Sequence, residues 1–324
     1  MPTLEMEPKV RTAGTITLDW LSAVLKRPLR AFSKTEASSN WANQTRLLVT
    51  CADGSELQLR LKTCLGSTFD RSEADYYTHD YLTLANAPLV RCHDAQFEPG
   101  TGYHILLDDL AATHTNRRDA VPTLAYGLAA AEALGRLHRH HWQSQPAPAT
   151  ADMDRYFAAI RPGAAPLEAI SRRPMAKRLE SDETQLRARW ADARGMTLLH
   201  GDLNPENVLT PNNSESPVLF IDRQPFDWSL RYGVAVLDLA YFLAIWWPAD
   251  VRIAHQETIL RQWHQALGRP DYSWAQTSAD WRLSVAHCLH VPFKWCADPK
   301  NAENMRWLWE NQLERILTAE ATIA

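Results

Sequence analysis

Residues 200–209 read His-Gly-Asp-Leu-Asn-Pro-Glu-Asn-Val-Leu, and Phe220-Ile221-Asp222 follows a little further on. Thr197-Leu198-Leu199 leads into His200 as a strand, a proline-containing loop holds Asp202 and Asn207, and Val218-Leu219-Phe220-Ile221 reads as the strand that delivers Asp222. The spacing H-x-D-x-x-x-x-N, with a further Asp fifteen residues after Asn207, is an arrangement that suits phosphoryl transfer. Asp202 would orient an attacking hydroxyl and take its proton. Asn207 and Asp222 would offer magnesium the hard oxygen ligands it prefers. Little covalent chemistry falls to the protein in such a reaction, so positioning and charge neutralisation carry it.

Upstream of this stretch the chain is β-rich. A helix capped by Thr17 or Asp19 is expected to run through Leu25. Residues 45–50 and 56–62 alternate around Asp53-Gly54 and predict a hairpin. A charged helix is expected over Arg71 to Leu84, and short strands over Leu89–Arg91 and Tyr103–Leu107. After Asp109 the character changes. Pro122 opens a helix that runs to Trp142, and four prolines (Pro146, Pro148, Pro162 and Pro166) break up the segment beyond it. Strands are expected again only near 197–199 and 218–221, and everything from Val234 onward reads as helical. The pattern predicts an α+β chain with a β-rich first lobe, 1–107, and a mostly helical second lobe, 108–324.

Five segments then resemble, in order, one group of enzymes. His200–Leu209 resembles the H-G-D-x-H-x-x-N-x-L signature of the aminoglycoside phosphotransferase and choline kinase superfamily, small-molecule relatives of the protein kinases. Ile221-Asp222-Arg223-Gln224 is similar to the family's I-D-W-Q, and Asp238–Leu243 matches its D-L-A-Y-F-L. Tyr103–Leu110 is similar to its L-L-x-E-D-L hinge, and Leu134–Trp142 resembles the L-A-x-L-H-A-x-F-W helix of the ecdysteroid-kinase-like branch.

The resemblance implies a protein-kinase-like two-lobed fold, with a small β-rich amino-terminal lobe and a larger helical carboxy-terminal one. It implies ATP and magnesium as cofactors, and transfer of the γ-phosphoryl group to a hydroxyl of a small molecule. Asp202 would be the base, His200 a support for the catalytic loop, and Asn207 and Asp222 the magnesium ligands. Lys62 would bind phosphate and pair with Glu73, eleven residues on. Arg60 and Glu36 are the rival charges for those two roles. Leu107 and Asp109 of the hinge, and Ser39 and Asn40 of the loop before the hairpin, would contact the nucleotide. That loop, residues 37–44, contains no glycine, which leaves GTP as an alternative nucleotide. Two residues depart from the signature: Asn204 stands at the usual histidine and Arg223 at the usual tryptophan.

The composition fits such an enzyme and excludes other classes. The chain has 324 residues, 45% hydrophobic and 22% charged, enough for a sizeable core. A net charge of -4 provides no global basic field for nucleic acid or an anionic membrane. No apolar run reaches the ~20 residues that span a bilayer, and Met1–Gly14 does not read as a secretory signal. Five scattered cysteines without a Cys-x-x-Cys make no disulfide framework, so the expected location is cytoplasmic. His138 and His141 share a helix face without a third ligand beside them, so a packing role is expected, and Asp238 is expected to brace a loop.

Tryptophan is in excess: 13 in all, eight of them between Trp246 and Trp309. Most are expected in the core, with Trp246 and Trp295 the candidates for an acceptor site. Asp227 and Arg231 are further candidates on the substrate side, and His287, His290 and Lys294 interleave with the tryptophans. An antibiotic or other natural product is the expected acceptor, with a sugar or amino alcohol as the alternative. The many Arg, His and Trp residues after Trp246 point to a ring-bearing acceptor rather than a polycation. A nucleotide-binding pseudokinase and a metal-dependent hydrolase built on His200 and Asp202 are the competing readings. The sequence sets no oligomeric state.

Overall fold

A computed structural model describes residues 9–38, 41–215 and 217–323. The described residues up to Thr115, together with Phe220–Asp227, form one compact unit, and Asn116–Leu219 with Trp228 onward form a second. The segment that carries Asp222 therefore groups with the amino-terminal strands, although it follows them by more than a hundred residues.

In the first unit, α1 (Leu18–Leu25) begins at Thr17, whose hydroxyl accepts from the Trp20 N–H at 3.1 Å. Four strands follow on either side of the hairpin and beyond: β1 (Leu29–Ser38), β2 (Asn43–Cys51), β3 (Glu56–Leu65) and β4 (Cys92–Glu98). With β5 (Gly102–Asp108) they make an antiparallel sheet in the order β1-β2-β3-β5-β4. Asp53 closes the β2–β3 turn by accepting from the Ser55 N–H at 2.9 Å, and Gly54 adopts the positive φ of 86° the turn needs. Alternate residues Leu47 and Val49 on β2, Leu59 and Leu61 on β3, and Leu106 on β5 pack with Trp20 and Leu21 of α1 to form the core.

The helix expected over Arg71–Leu84 is much shorter. It consists of α2 (Ser72–Asp75) and a wide π-turn over Tyr76–Asp80. Tyr76 packs edge-on against both Tyr77 and Tyr81, with ring centroids 5.6 and 5.0 Å apart, and burying these rings breaks the helical register. The strand expected at Leu89–Arg91 is displaced: Leu89 makes a single bridge to Phe220, and β4 starts at Cys92. The Asp222 segment is stitched to this unit by Ser72 Oγ donating to the Gln224 carbonyl at 2.9 Å, by Asp70 N–H donating to Pro225 O at 2.9 Å, and by Phe69 stacking on Phe226 at 5.4 Å.

After the short β6 (His114–Asn116), the second unit opens with α3 (Leu124–His140). The proline-rich stretch is not irregular. It forms α4 (Thr150–Ile160), α5 (Ala164–Ser171) and α6 (Met175–Trp190), because Pro162 and Pro166 fall in first turns, where a missing N–H costs nothing. Strands β7 (Met196–Leu198), β8 (Val208–Pro211), β9 (Leu219–Phe220) and β10 (Tyr232–Val234) follow, so two strands beyond those expected, β8 and β10, appear here. β7 pairs antiparallel with β10. The rest is helical: α7 (Val236–Ala240) continuing as a π-turn to Ile245, α8 (Ala249–Leu267), α9 (Trp274–His287), α10 (His290–Cys296), α11 (Pro299–Asn304) and α12 (Arg306–Thr322). Four tryptophans, Trp190, Trp247, Trp263 and Trp309, are fully buried in this unit.

Helices α3 and α8 cross at a pair of glycines. A Cβ at Gly135 would lie 2.7 Å from Ala266 Cβ and 2.9 Å from the Trp263 carbonyl; at Gly127 it would lie 2.4 Å from Ile259. Gly135→Val should therefore push α8 outward and lower stability by about 2 kcal/mol, the usual scale of overpacking. Urea unfolding would read this as a lower midpoint at unchanged slope, and an unchanged midpoint would contradict the close crossing.

Candidate active site

The first group of chemically active residues lies in the amino-terminal unit. Lys62 faces inward from β3, and its ammonium donates to Glu73 Oε1 at 2.9 Å and Oε2 at 2.8 Å, and to Asp222 Oδ1 at 3.1 Å. The Tyr103 hydroxyl also donates to Glu73 Oε2. Burial alone would lower the Lys62 pKa, but the Asp222 and Glu73 carboxylates outweigh it and hold the ammonium charged far above its ordinary range. Asp222 has φ of 57°, a left-handed conformation that Asp tolerates better than most residues. Its side chain is 42% exposed, whereas Glu73 is sealed at 1%. The rival charges are accounted for. Arg60 and Arg46 approach Asp109 at 3.6 and 3.3 Å, and Glu36 pairs with Lys34 at 3.4 Å.

The second group lies in the carboxy-terminal unit. β7 delivers the chain to His200, and Gly201 turns it with φ of 79°. Buried Asp238, in the first turn of α7, holds the loop: Oδ2 accepts the His200 N–H at 2.7 Å and Oδ1 the Gly201 N–H at 2.9 Å. His138 Nε2 lies 3.1 Å from Asp238 Oδ2. The Trp263 indole N–H, which can only donate, points at His138 Nδ1 at 3.1 Å, so His138 carries its proton on Nε2 and donates it to Asp238. Burial would raise the Asp238 pKa, but the hydrogen bond from His138 and those from the loop N–H groups bring it below its ordinary range.

Inside the loop, Asp202 Oδ1 accepts from the Tyr241 hydroxyl at 2.7 Å and from Asn204 Nδ2 at 3.2 Å. Asn207 Nδ2 donates to the Asp202 carbonyl at 2.8 Å and lies 3.3 Å from Oδ2. Asn204 Oδ1 in turn accepts from the Glu206 N–H at 2.8 Å, capping the turn that sets Asn207. His200 Nδ1 accepts from the Asp202 N–H at 3.3 Å. The loop thus fixes the carboxylate from both ends.

The structure brings together Lys62, Glu73 and Asp222 in one unit, and His200, Asp202 and Asn207 in the other. Other expected site residues stand apart from these contacts. Leu107 is buried in β5 opposite Arg60, and the Asp109 carboxylate is taken up by arginines. Asp227 is exposed, with its N–H on the Thr68 carbonyl, and the Arg231 carbonyl accepts from Leu199. Trp246 is half-buried, with its ring 6.4 Å from that of Tyr241, and Trp295 is half-buried on α10. Ser39 and Asn40 lie outside the described residues. Tyr241 and Tyr103 were missed by sequence reasoning. Each is a tyrosine set in an apolar run, which reads as core, and falls in a segment with a family resemblance, Tyr241 in Asp238–Leu243 and Tyr103 at the start of Tyr103–Leu110.

Behind Tyr241 lie buried His287 and half-buried His290. Burial pushes His287 well below its ordinary value and His290 down to about 4. Unfolded histidines take up protons below about pH 6.5, whereas these stay neutral in the folded chain. Stability is therefore complete above pH 6.5 and falls as the pH drops toward 4, by about 2 kcal/mol for half-buried His290. Urea midpoints measured across that window should show the decline, and His290→Asn should lessen it, leaving the part due to His287. A flat wild-type profile would contradict the assignment.

The comparisons agree with this architecture. Residues 172–270 match the model of the ecdysteroid kinase-like family. An aminoglycoside-3′-phosphotransferase of type VIII is 19% identical, with a TM-score of 0.51, over 83% of this chain and 97% of that one. An amicoumacin kinase, hAmiN, solved with AMP-PNP, Ca2+ and Ami, is 13% identical over 92% of this chain and 93% of its own, with a TM-score of 0.59. A candidate fructosamine-3-kinase from Thermobifida fusca YX-ER1 is 14% identical over 93% and 98%, with a TM-score of 0.51. No curated protein matches the chain. At these identities the structural likeness is one of fold: α+β and kinase-like, with a small β-rich lobe and a larger helical one. Among the described residues, no helix is long and apolar enough to cross a membrane. The fold is thus kinase-like, and residues 172–270, which include the loop from His200 to Asn207, are similar to the ecdysteroid kinase-like family.

Proposed function

We propose that the protein transfers the γ-phosphoryl group of ATP, with magnesium, to a hydroxyl of a small molecule, and that the acceptor is an antibiotic or other natural product. The observation that carries this reading is the fixed carboxylate of Asp202, fastened by Tyr241 and Asn204 in a loop that Asp238 holds. The names of two neighbours, an aminoglycoside phosphotransferase and an amicoumacin kinase, support the acceptor class.

The residues fit the nucleotide and its metal. Glu73 and Asp222 both accept from the ammonium of Lys62, and Asp222 is the more exposed of the two. Asp222, and separately Asn207, would offer a divalent cation the hard oxygens it prefers. When bound, magnesium ATP supplies the phosphoryl group and the neutralisation of its charge.

The chain's own residues do the rest. Glu73 keeps the Lys62 ammonium in place to bind phosphate oxygens. Asp202 accepts a hydrogen bond from the acceptor hydroxyl and takes its proton. Oδ1 receives donors from Tyr241 and Asn204, whereas the Asn207 amide reaches Oδ2 at the longer 3.3 Å, so Oδ2 is the oxygen that takes the proton. His200 and Asp238 keep the carboxylate from turning away.

The full chain, incubated with γ-labelled ATP and magnesium against a panel of antibiotics, natural products, sugars and amino alcohols, should place label on a hydroxyl of a natural product. Label on sugars or amino alcohols alone would assign a metabolic kinase. Nucleotide binding with no transfer would contradict the reading and leave a pseudokinase.

A further inference from the structure

Helix α2 borders a space that the phosphotransferase reading leaves unused. The Glu73 carboxylate reaches Lys62, whereas its neighbours Ala74 and Asp75 line a cavity of about 740 Å³. Tyr77, Thr78 and His79 of the π-turn continue that lining, and the β4 run from Cys92 to Phe97 supplies another wall. Every lining residue belongs to the amino-terminal unit. The volume lies within the range of about 300–1,000 Å³ usual for sites that hold small organic ligands.

The lining joins an apolar surface to exposed cations. Ala74, Ala95 and Tyr77 are buried, and Leu82 is 70% exposed, so an apolar ligand body would cover it. The acids are sunk and the bases stand out. Asp75 is enclosed between Arg71 Nε at 2.8 Å and His79 Nδ1 at 3.4 Å, while the Arg71 side chain keeps 61% of its surface open. Asp94 Oδ2 lies 3.0 Å from Nε2 of buried His104, so it too has a basic partner. Lys9 adds an exposed ammonium. A guanidinium with five N–H donors can serve Asp75 and a second anion together. The charge that an entering ligand meets first is therefore positive.

One buried donor in the lining has no acceptor. The Tyr77 hydroxyl makes no hydrogen bond among the described residues, although the side chain is only 7% exposed. A buried phenol ordinarily has a partner, and an oxygen brought by a ligand would supply one.

We propose that this cavity is a second ligand site, taking a small organic acid whose apolar body packs on Leu82, Ala74 and Tyr77 and whose anionic group is held by Arg71 and Lys9. The site is separate from the phosphotransfer residues and stands whether or not that reading does. A cationic ligand of the same shape would meet like charge at Arg71 and Lys9.

The test uses the full chain and calorimetry with three matched probes: 2-naphthoate, 2-naphthalenemethanol and 2-naphthylmethylamine. They share the ring and differ in the charge beside it. At low ionic strength the acid should bind about tenfold or more tighter than the amine, with the alcohol between, as expected for charge contacts at a partly exposed site. Saturating AMP-PNP with magnesium should not displace naphthoate. Arg71→Glu should remove the preference for the acid, and Gln96→Trp, which adds bulk to the lining, should weaken all three by several-fold. Hydrogen exchange of the wild type locates the site without any variant: naphthoate should slow exchange within 71–82 and 92–99. No naphthoate binding at millimolar concentration, equal affinity for acid and amine, displacement by AMP-PNP, or protection confined to other segments would each overturn the proposal. Absence of AMP-PNP binding would instead count against the phosphotransferase reading and leave this site standing.

Discussion

Replacing Asp238 with alanine should destabilise the protein by about 3–5 kcal/mol, the scale expected when a buried charged hydrogen-bond partner is removed. Its two oxygens accept from the His200 and Gly201 N–H groups at 2.7 and 2.9 Å and receive the His138 imidazole at 3.1 Å. All three donors would be left buried, and no water reaches them cheaply. The disturbance would also pass along His138 to Trp263, because the indole N–H depends on that imidazole. Asp238→Asn should cost less but still substantially, since its amide offers one acceptor oxygen where the carboxylate offers two. Chemical unfolding of both variants checks this, and a cost below about 1 kcal/mol for the alanine variant would show that the loop stands without Asp238.

Lys62→Met carries the second large effect. It leaves the Glu73 carboxylate, 1% exposed, beside Asp222 with no cation to offset burial. The expected loss is again about 3–5 kcal/mol. Adding Glu73→Gln should recover part of it, giving a coupling energy above 1 kcal/mol in a double-mutant cycle. The pH dependence has a definite sign. With Lys62 gone, burial raises the folded Glu73 pKa above its unfolded value, so the loss should grow as the pH rises through that folded pKa and shrink in acid. Additive single losses would contradict the pairing. Phosphate binding should fall with the same substitution, because Lys62 is the cation that Glu73 holds in place.

Features that are local in sequence were legible in it. Asp202 and Asn207 lie five residues apart in one loop, and the hairpin turn is announced by Asp53-Gly54 between alternating strands. The contacts that give the site its geometry are not local. Lys62 meets Asp222 across 160 positions, and Tyr241 meets Asp202 across 39. A tyrosine in the run from Val234 to Trp247 has the same pattern whether it is inert core or a hydroxyl aimed at a carboxylate. Strand β1 was invisible for a different reason: it is the edge of the sheet, its residues are largely exposed, and no alternation of burial marks it. The helices α4 to α6 were hidden because prolines read as breaks, when Pro162 and Pro166 in fact sit in first turns.

The wider pattern of tryptophan is also clearer in three dimensions. Four are sealed in the core of the helical unit, which accounts for much of the excess. Trp246 is half-buried with its ring 6.4 Å from that of Tyr241, and Trp228 is half-buried with its ring 6.3 Å from that of Tyr156.

The central claim is that Asp202 serves as the base in phosphoryl transfer to a hydroxyl. The direct measurement compares wild type and Asp202→Asn for acceptor phosphorylation by mass spectrometry and for nucleotide affinity by calorimetry, both with magnesium. The account expects kcat to fall by about a thousandfold, within the range of general-base contributions, with nucleotide affinity changed by less than about threefold. Retained turnover in Asp202→Asn would contradict it.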